Sequence, residues 1–107
     1  MTSELSSRFY IGQIVDHRLF GYRGVIYDVD SRFLLSEEWY EQVALSRPAK
    51  DQPWYHVLVD GAEHTTYVAE RNLKASENDS SPIRHPLIDD YFGRFDGDRY
   101  LTQERRN

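Results

Sequence analysis

The sequence predicts a mainly β domain: a small antiparallel barrel with one short inserted helix and a C-terminal tail. Three observations point there. Runs of β-branched and aromatic residues recur at 9–17, 24–30, 54–59, 65–68 and 73–75. Turn residues separate them, Gly21 and Gly24 after the first run and Asp60 with Gly61 after the third. Only one long stretch, 36–45, has both the spacing and the cap of a helix.

Taken in order, residues 1–8 are polar and read as a flexible N-terminus. The first strand, 9–17, is entered through Gly12, and Gly21 and Gly24 permit a tight turn after it. In the second strand Val25, Tyr27 and Val29 share one face by the period of two. The two strands therefore make a hairpin. Ser36 then suits a helix N-cap, because its hydroxyl can accept an orphan backbone N–H. Glu37 and Glu38 suit the positive end of that helix. Trp39, Tyr40 and Val43 fall three or four apart and form one apolar stripe. Pro48 and Pro53 make 47–53 a loop.

Strand 54–59 returns through Asp60 and Gly61 to 65–68, giving a second hairpin. Residues 69–72 read as a single 3-10-like turn before a last strand at 73–75, an order common in small SH3-like barrels. Closing the sheet would protect its edges, which suits so short a chain. The barrel is thus expected over 9–75 and an acidic tail over 76–107. In the tail, 76–81 is polar and leads to Pro82 and Pro86, the composition of a linker. Leu87 and Tyr91, and Ile88 and Phe92, lie four apart. They read as one helical turn that docks on the barrel or on a partner. Residues 96–107 are charged and are expected to be mobile.

A chain of 107 residues forms one domain and can bury enough apolar surface to fold unstapled. It contains no cysteine, so disulfides, thiolate metal sites and cysteine nucleophiles are excluded. That composition fits a reducing compartment. The N-terminus has no apolar signal core, and no apolar run approaches the roughly 20 residues of a membrane span. A cytoplasmic protein with no membrane partner is expected. The net charge is −5, from thirteen basic and eighteen acidic residues. The first 36 residues carry four of each, so the whole excess lies in 37–107. Such acidity opposes non-specific coating of DNA, which depends on Lys and Arg neutralising phosphates. Eleven of the thirteen bases are Arg, whose planar fork suits phosphate, carboxylate or stacking contacts.

No constellation for catalysis stands out. His17, His56, His64 and His85 lack the spacing of a metal motif. A three-residue turn would bring His56 and His64 to one face, whereas a two- or four-residue turn would part them. Asp28 and Asp30 project from one face, but Phe33 stands where a calcium loop would need glycine. No nucleophile elbow and no Gly-rich phosphate loop is present. The expectation is a protein that is not an enzyme, with no catalytic residues, no metal and no cofactor.

Binding residues are easier to name. Arg18, Phe20, Tyr22 and Arg23 surround the first hairpin turn, and loops on a rigid sheet are where recognition concentrates. A basic and aromatic cluster of this kind can contact phosphate and stack on bases or peptides despite an acidic total. Trp54, Tyr55 and Tyr67 form a second candidate platform, although core packing is expected for at least two of them. The aromatic share of 14% also raises self-association, with Trp39 and Tyr40 as contact candidates for a homo-oligomer.

Four blocks go beyond generic patterning: YIGQIVDH at 10–17, FGYRGVIYDVD at 20–30, PWYHVLV at 53–59 and TYVAERNL at 66–73. In this order they resemble the HspQ or YccV-like family of heat-shock proteins, and IRHPL at 83–87 is similar to the tail of part of that family. The resemblance implies an SH3-like barrel. It also implies binding of hemimethylated DNA, a place in the heat-shock stress response, and modulation of an ATP-dependent protease or of its substrates. It carries over no catalytic residues. A DNA-binding module would use Arg18, Arg23 and Arg71. A protein-interaction module acting on a protease would use the tail residues Leu87, Ile88, Tyr91 and Phe92.

Overall fold

The structure, a computed structural model, describes residues 7–102. Strand β1 (Ile14–His17) turns back into β2 (Arg23–Asp30), and a short helix α1 (Glu37–Val43) follows. Strands β3 (Trp54–Val59) and β4 (Thr65–Ala69) form the second hairpin, and the 3-10 turn Glu70–Asn72 leads into β5 (Leu73–Ala75). These antiparallel strands make one sheet in the order β4-β3-β2-β1-β5. The C-terminal segment adds α2 (Ile88–Tyr91), β6 (Phe92–Phe95) and β7 (Tyr100–Thr102), the two strands pairing as a second sheet.

Local chemistry explains the elements. Ser36 caps α1 by accepting from Trp39 N at 3.1 Å. Tyr40 anchors the helix and donates to Pro48 O at 2.7 Å. Only Ile14–His17 of the expected first strand is extended. Gly12 has φ +97°, a conformation that favours glycine and turns the chain into β1.

Two expectations change. The sheet is mainly β and antiparallel as read, but it is not closed into a barrel. Strand β5 has only three residues, and all three pair with β1, which leaves β4 as the opposite edge. Residues 76–81, read as a linker, and 96–102, read as mobile, are held against the sheet, while the helical turn expected within 87–92 forms as α2 and docks there; residues 103–107 lie outside the described residues. Ile83, Phe92 and Tyr100 are buried in a cluster with Ile14, Val25 and Leu58.

The large sheet is therefore covered on both faces. Val15, Ile26 and Val57 point into one core with Phe9, Tyr55, Val68 and Leu73. Their neighbours Ile14, Val25 and Leu58 point into the other. A third, aromatic cluster joins Phe33, Tyr40 and Trp54 beside α1. Arg23 ties the C-terminal segment down. Its guanidinium donates to Asn78 O at 2.7 Å, Ser81 O at 2.8 Å and Pro82 O at 3.1 Å, and it pairs with Asp60 at 3.0 Å. Burial pushes the Asp60 carboxyl up, but the Arg84 N–H and the Arg23 guanidinium outweigh it and hold the group below the usual carboxylate range.

Candidate functional site

An apolar groove of about 520 Å³ runs along β4. Its floor is aromatic. The Trp54 and Tyr67 rings stack at 5.2 Å with 27° between planes. One lip is the β1–β2 turn, where Leu19 and Phe20 are 58% and 73% exposed. The other is the C-terminal end of α1, where Val43 and Leu45 are 52% and 75% exposed. Exposed apolar side chains facing one another across a groove are a feature of binding surfaces.

His17 sets the first lip. Its ring is buried, and Nδ1 accepts from Leu19 N and Phe20 N at 3.1 Å each. The Phe20 ring stacks on it at 4.6 Å. Acceptance at Nδ1 requires the neutral ring, with its proton on Nε2. Burial also lowers the His17 pKa from its ordinary 6.5. Because the folded value lies below the unfolded one, the contribution of His17 to stability is complete above about pH 6.5 and is lost as pH falls through the folded value. Acidification is expected to protonate Nδ1, break the two hydrogen bonds it accepts from Leu19 N and Phe20 N, and free Phe20. A titration of the His17 ring by NMR, with the Leu19 and Phe20 amides followed in parallel, checks this. Amide shifts that do not track the ring titration would refute it.

The Tyr67 part of the floor is held by a polar knot. Tyr67 OH donates to Asp30 Oδ2 at 2.7 Å, and His56 Nε2 lies 3.1 Å from the same oxygen. Burial, reinforced by the Asp30 bond, holds the Tyr67 phenol well above its usual range. On the inner side Tyr55 bonds Glu70, and burial with that bond pushes its phenol up to about 12. Asp28, Asp30 and His56 bring possible ligand atoms within 4.8 Å of one another. They could hold a cation, yet Asp30 already serves Tyr67 and His56, which joins β2, β3 and β4.

Each residue singled out from the sequence now has a place. Arg18, Phe20 and Arg71 are exposed; Phe20 lines the groove, and Arg71 lines a second, smaller concavity with Arg8 and Glu70. Arg18 Nε donates to Leu73 O at 3.1 Å, and Arg71 Nη2 to Ser46 O at 2.6 Å. Tyr22, Trp54 and Tyr67 line the groove but are fixed: Tyr22 OH bonds Thr66 Oγ1 at 2.7 Å, and Trp54 Nε1 donates to Ala49 O at 3.0 Å. Arg23 is occupied with the C-terminal segment. Of the tail residues, Leu87, Ile88 and Phe92 pack into the protein's own core, and Tyr91 rests on Tyr27 at 4.6 Å. Trp39 and Tyr40, candidates for self-association, pack on Phe33 and Trp54 within the chain. His56 pairs with Tyr67 across the β3–β4 ladder, while His64 lies in the turn and accepts at its carbonyl from His85.

Sequence reasoning missed Leu19, Val43 and Leu45. Their signal was an apolar side chain in a turn or at a helix end, where a polar one is expected.

An open antiparallel sheet, buried on both faces and carrying an apolar groove along one edge strand, defines a small β-sheet domain. No helix among the described residues is long and apolar enough to cross a membrane. The chain belongs to the YccV-like family, described as hemimethylated DNA-binding protein YccV-like, whose sequence model matches residues 7–99.

Proposed function

We propose that this chain is a non-catalytic regulatory module that engages hemimethylated DNA through Arg18, Phe20 and Arg71. The carrying observation is the Phe20 ring, 73% exposed in the β1–β2 turn two residues from Arg18, together with the guanidinium groups of Arg18 and Arg71, which have no ion-pair partner among the described residues. The family description supplies the class of ligand. Forked guanidinium groups suit phosphate oxygens, and an exposed apolar rim suits a base or its methyl group. Asp89, Asp90, Asp96 and Asp98 sit on the C-terminal segment, outside the groove lining.

The test titrates the full chain with one duplex in hemimethylated, unmethylated and fully methylated forms over a range of salt. The hemimethylated form is expected to bind tightest. Arg18→Ala and Arg71→Ala should each reduce the slope of log affinity against log salt by about 1. Phe20→Ala should lose about 1–3 kcal/mol of binding if the ring stacks on a base. A flat salt dependence, or equal affinity for all three duplexes, rejects the reading.

A second reading is that the module acts in the heat-shock response on an ATP-dependent protease or its substrates. The exposed apolar lips of the groove favour it, since protein partners cover such patches. Degradation of a substrate by the purified protease, with and without the full chain, tests this. An unchanged rate rejects it.

A further inference from the structure

Strand β4 is one edge of the sheet, and the groove runs along all five of its residues. Glu70 N donates to Pro53 O at 3.0 Å. Carried along the β3–β4 register, that bond makes Tyr55 with Val68 and Val57 with Thr66 the hydrogen-bonded pairs. The N–H and C=O groups of Thr65 and Tyr67 consequently point outward, into the groove. An outward row of this kind is a template for another strand.

Both sides of that edge are apolar. On the side of Thr66 and Val68 stand Tyr22, Phe20 and Leu19. On the side of Tyr67 and Ala69 stands the end of α1, with Val43 and Leu45. The side chains of an added strand alternate between faces, so every position of such a strand would meet an apolar wall. The end of the groove beyond Ala69 is different. Arg18 N is bonded to Asn72 O at 2.7 Å and Arg71 to Ser46 O at 2.6 Å, and Asn72 and Ser46 both line the groove. Neither guanidinium has a carboxylate partner among the described residues, so charge complementarity calls for an acidic group there.

We infer that the groove receives an extended, unfolded polypeptide segment as an added strand on β4, apolar on both faces and flanked by an acidic residue at the Arg18–Arg71 end. Runs that are apolar at every position are buried in folded proteins, so the groove selects unfolded chains. The inference rests on the protein-partner reading and names the chemistry of that partner.

Fluorescence anisotropy on the full chain tests it. The probe is a labelled apolar peptide of about six residues, the length of an ordinary strand, ending in Asp. Binding is expected. Methylating alternate backbone nitrogens of the peptide should weaken it about tenfold in one of the two possible phases, by removing strand hydrogen bonds. Leu45→Ser alters an exposed side chain and should leave the melting temperature unchanged, and Leu45→Ser and Phe20→Ser should each weaken the peptide about tenfold. Replacing the terminal Asp by Lys should weaken it too. Equal binding of both N-methylated peptides, or indifference to Leu45→Ser, overturns the inference. So does a hemimethylated duplex whose binding depends on Leu45 when the peptide does not bind. If the peptide fails while the effect on the protease persists, the groove assignment falls and the partner reading stands; if both are absent, both fall.

Discussion

A chain ending at Ser76 is expected to lose its cooperative fold. Truncation there removes Ile83, Phe92 and Tyr100 and bares Ile14, Val25 and Leu58, which are at most 1% exposed in the intact protein. Each buried side chain of this size is worth about 1.5–3 kcal/mol, so the loss is on the order of the whole stability of a small domain, about 5–15 kcal/mol. Arg23 and Asp60 would also lose their partners at Asn78, Ser81, Pro82 and Arg84. A thermal melt by circular dichroism and a two-dimensional amide spectrum check the outcome. A sharp melt with dispersed amides in the truncated chain would show that the N-terminal sheet folds alone. In the full chain, Tyr100→Ala is expected to cost about 3–5 kcal/mol. Tyr100→Phe, which removes only the hydroxyl that accepts from Ile83 N at 2.8 Å, should cost about 1–3 kcal/mol by leaving that buried N–H unpaired.

Gly12→Ala is the substitution with the largest expected effect for a single methyl group. The residue has φ +97°, and an added Cβ would lie 2.1 Å from Tyr100 O. That contact is with backbone, so no side chain can move aside. The Gly12 backbone also links three parts of the fold, donating to Ile26 O and accepting from Tyr100 N, both at 2.8 Å. A side chain at positive φ costs about 1–2 kcal/mol, and overpacking about 1–3 kcal/mol more. For a domain of about this size the melting temperature should fall by about 4–8 °C per kcal/mol. Gly21→Ala provides the control. Its φ is +74°, but a Cβ there meets nothing within 4 Å, so only the conformational cost should appear. Equal stability of the two variants would sink the argument.

Much of the scaffold is legible in the residue pattern. Trp54–Val59 and Leu73–Ala75 form where they are expected, α1 starts at the Ser36 cap, and the 3-10 turn precedes the last strand of the large sheet. Strands β6 and β7 are not legible. They are three or four residues long, set among charged residues, and their only strong apolar signals are Phe92, Phe95 and Tyr100. One clue to them stood elsewhere. The uninterrupted run Val57, Leu58, Val59 does not alternate, and a strand apolar on both sides is buried on both faces. That pattern required a second layer, which the C-terminal segment supplies.

The candidate site divides the same way. Arg18, Phe20 and Arg71 were recognisable as turn and surface residues of binding type, and all three are exposed. Arg23 belongs to the same chemical class but bonds the 78–82 segment, because strand register turns it the other way. Leu45 was unremarkable until α1 placed it opposite Phe20 across the groove.

By itself the order of residues determined the local elements, the antiparallel hairpins and the absence of thiol chemistry, since period, capping and turn preference act over a few neighbouring residues. Tertiary structure alone decided that the sheet stays open at β4, that the C-terminal segment covers its second face, and that two apolar lips meet over a free strand edge. Those outcomes depend on pairing and burial between residues tens of positions apart, and no local preference encodes which distant partners compete successfully for the same surface.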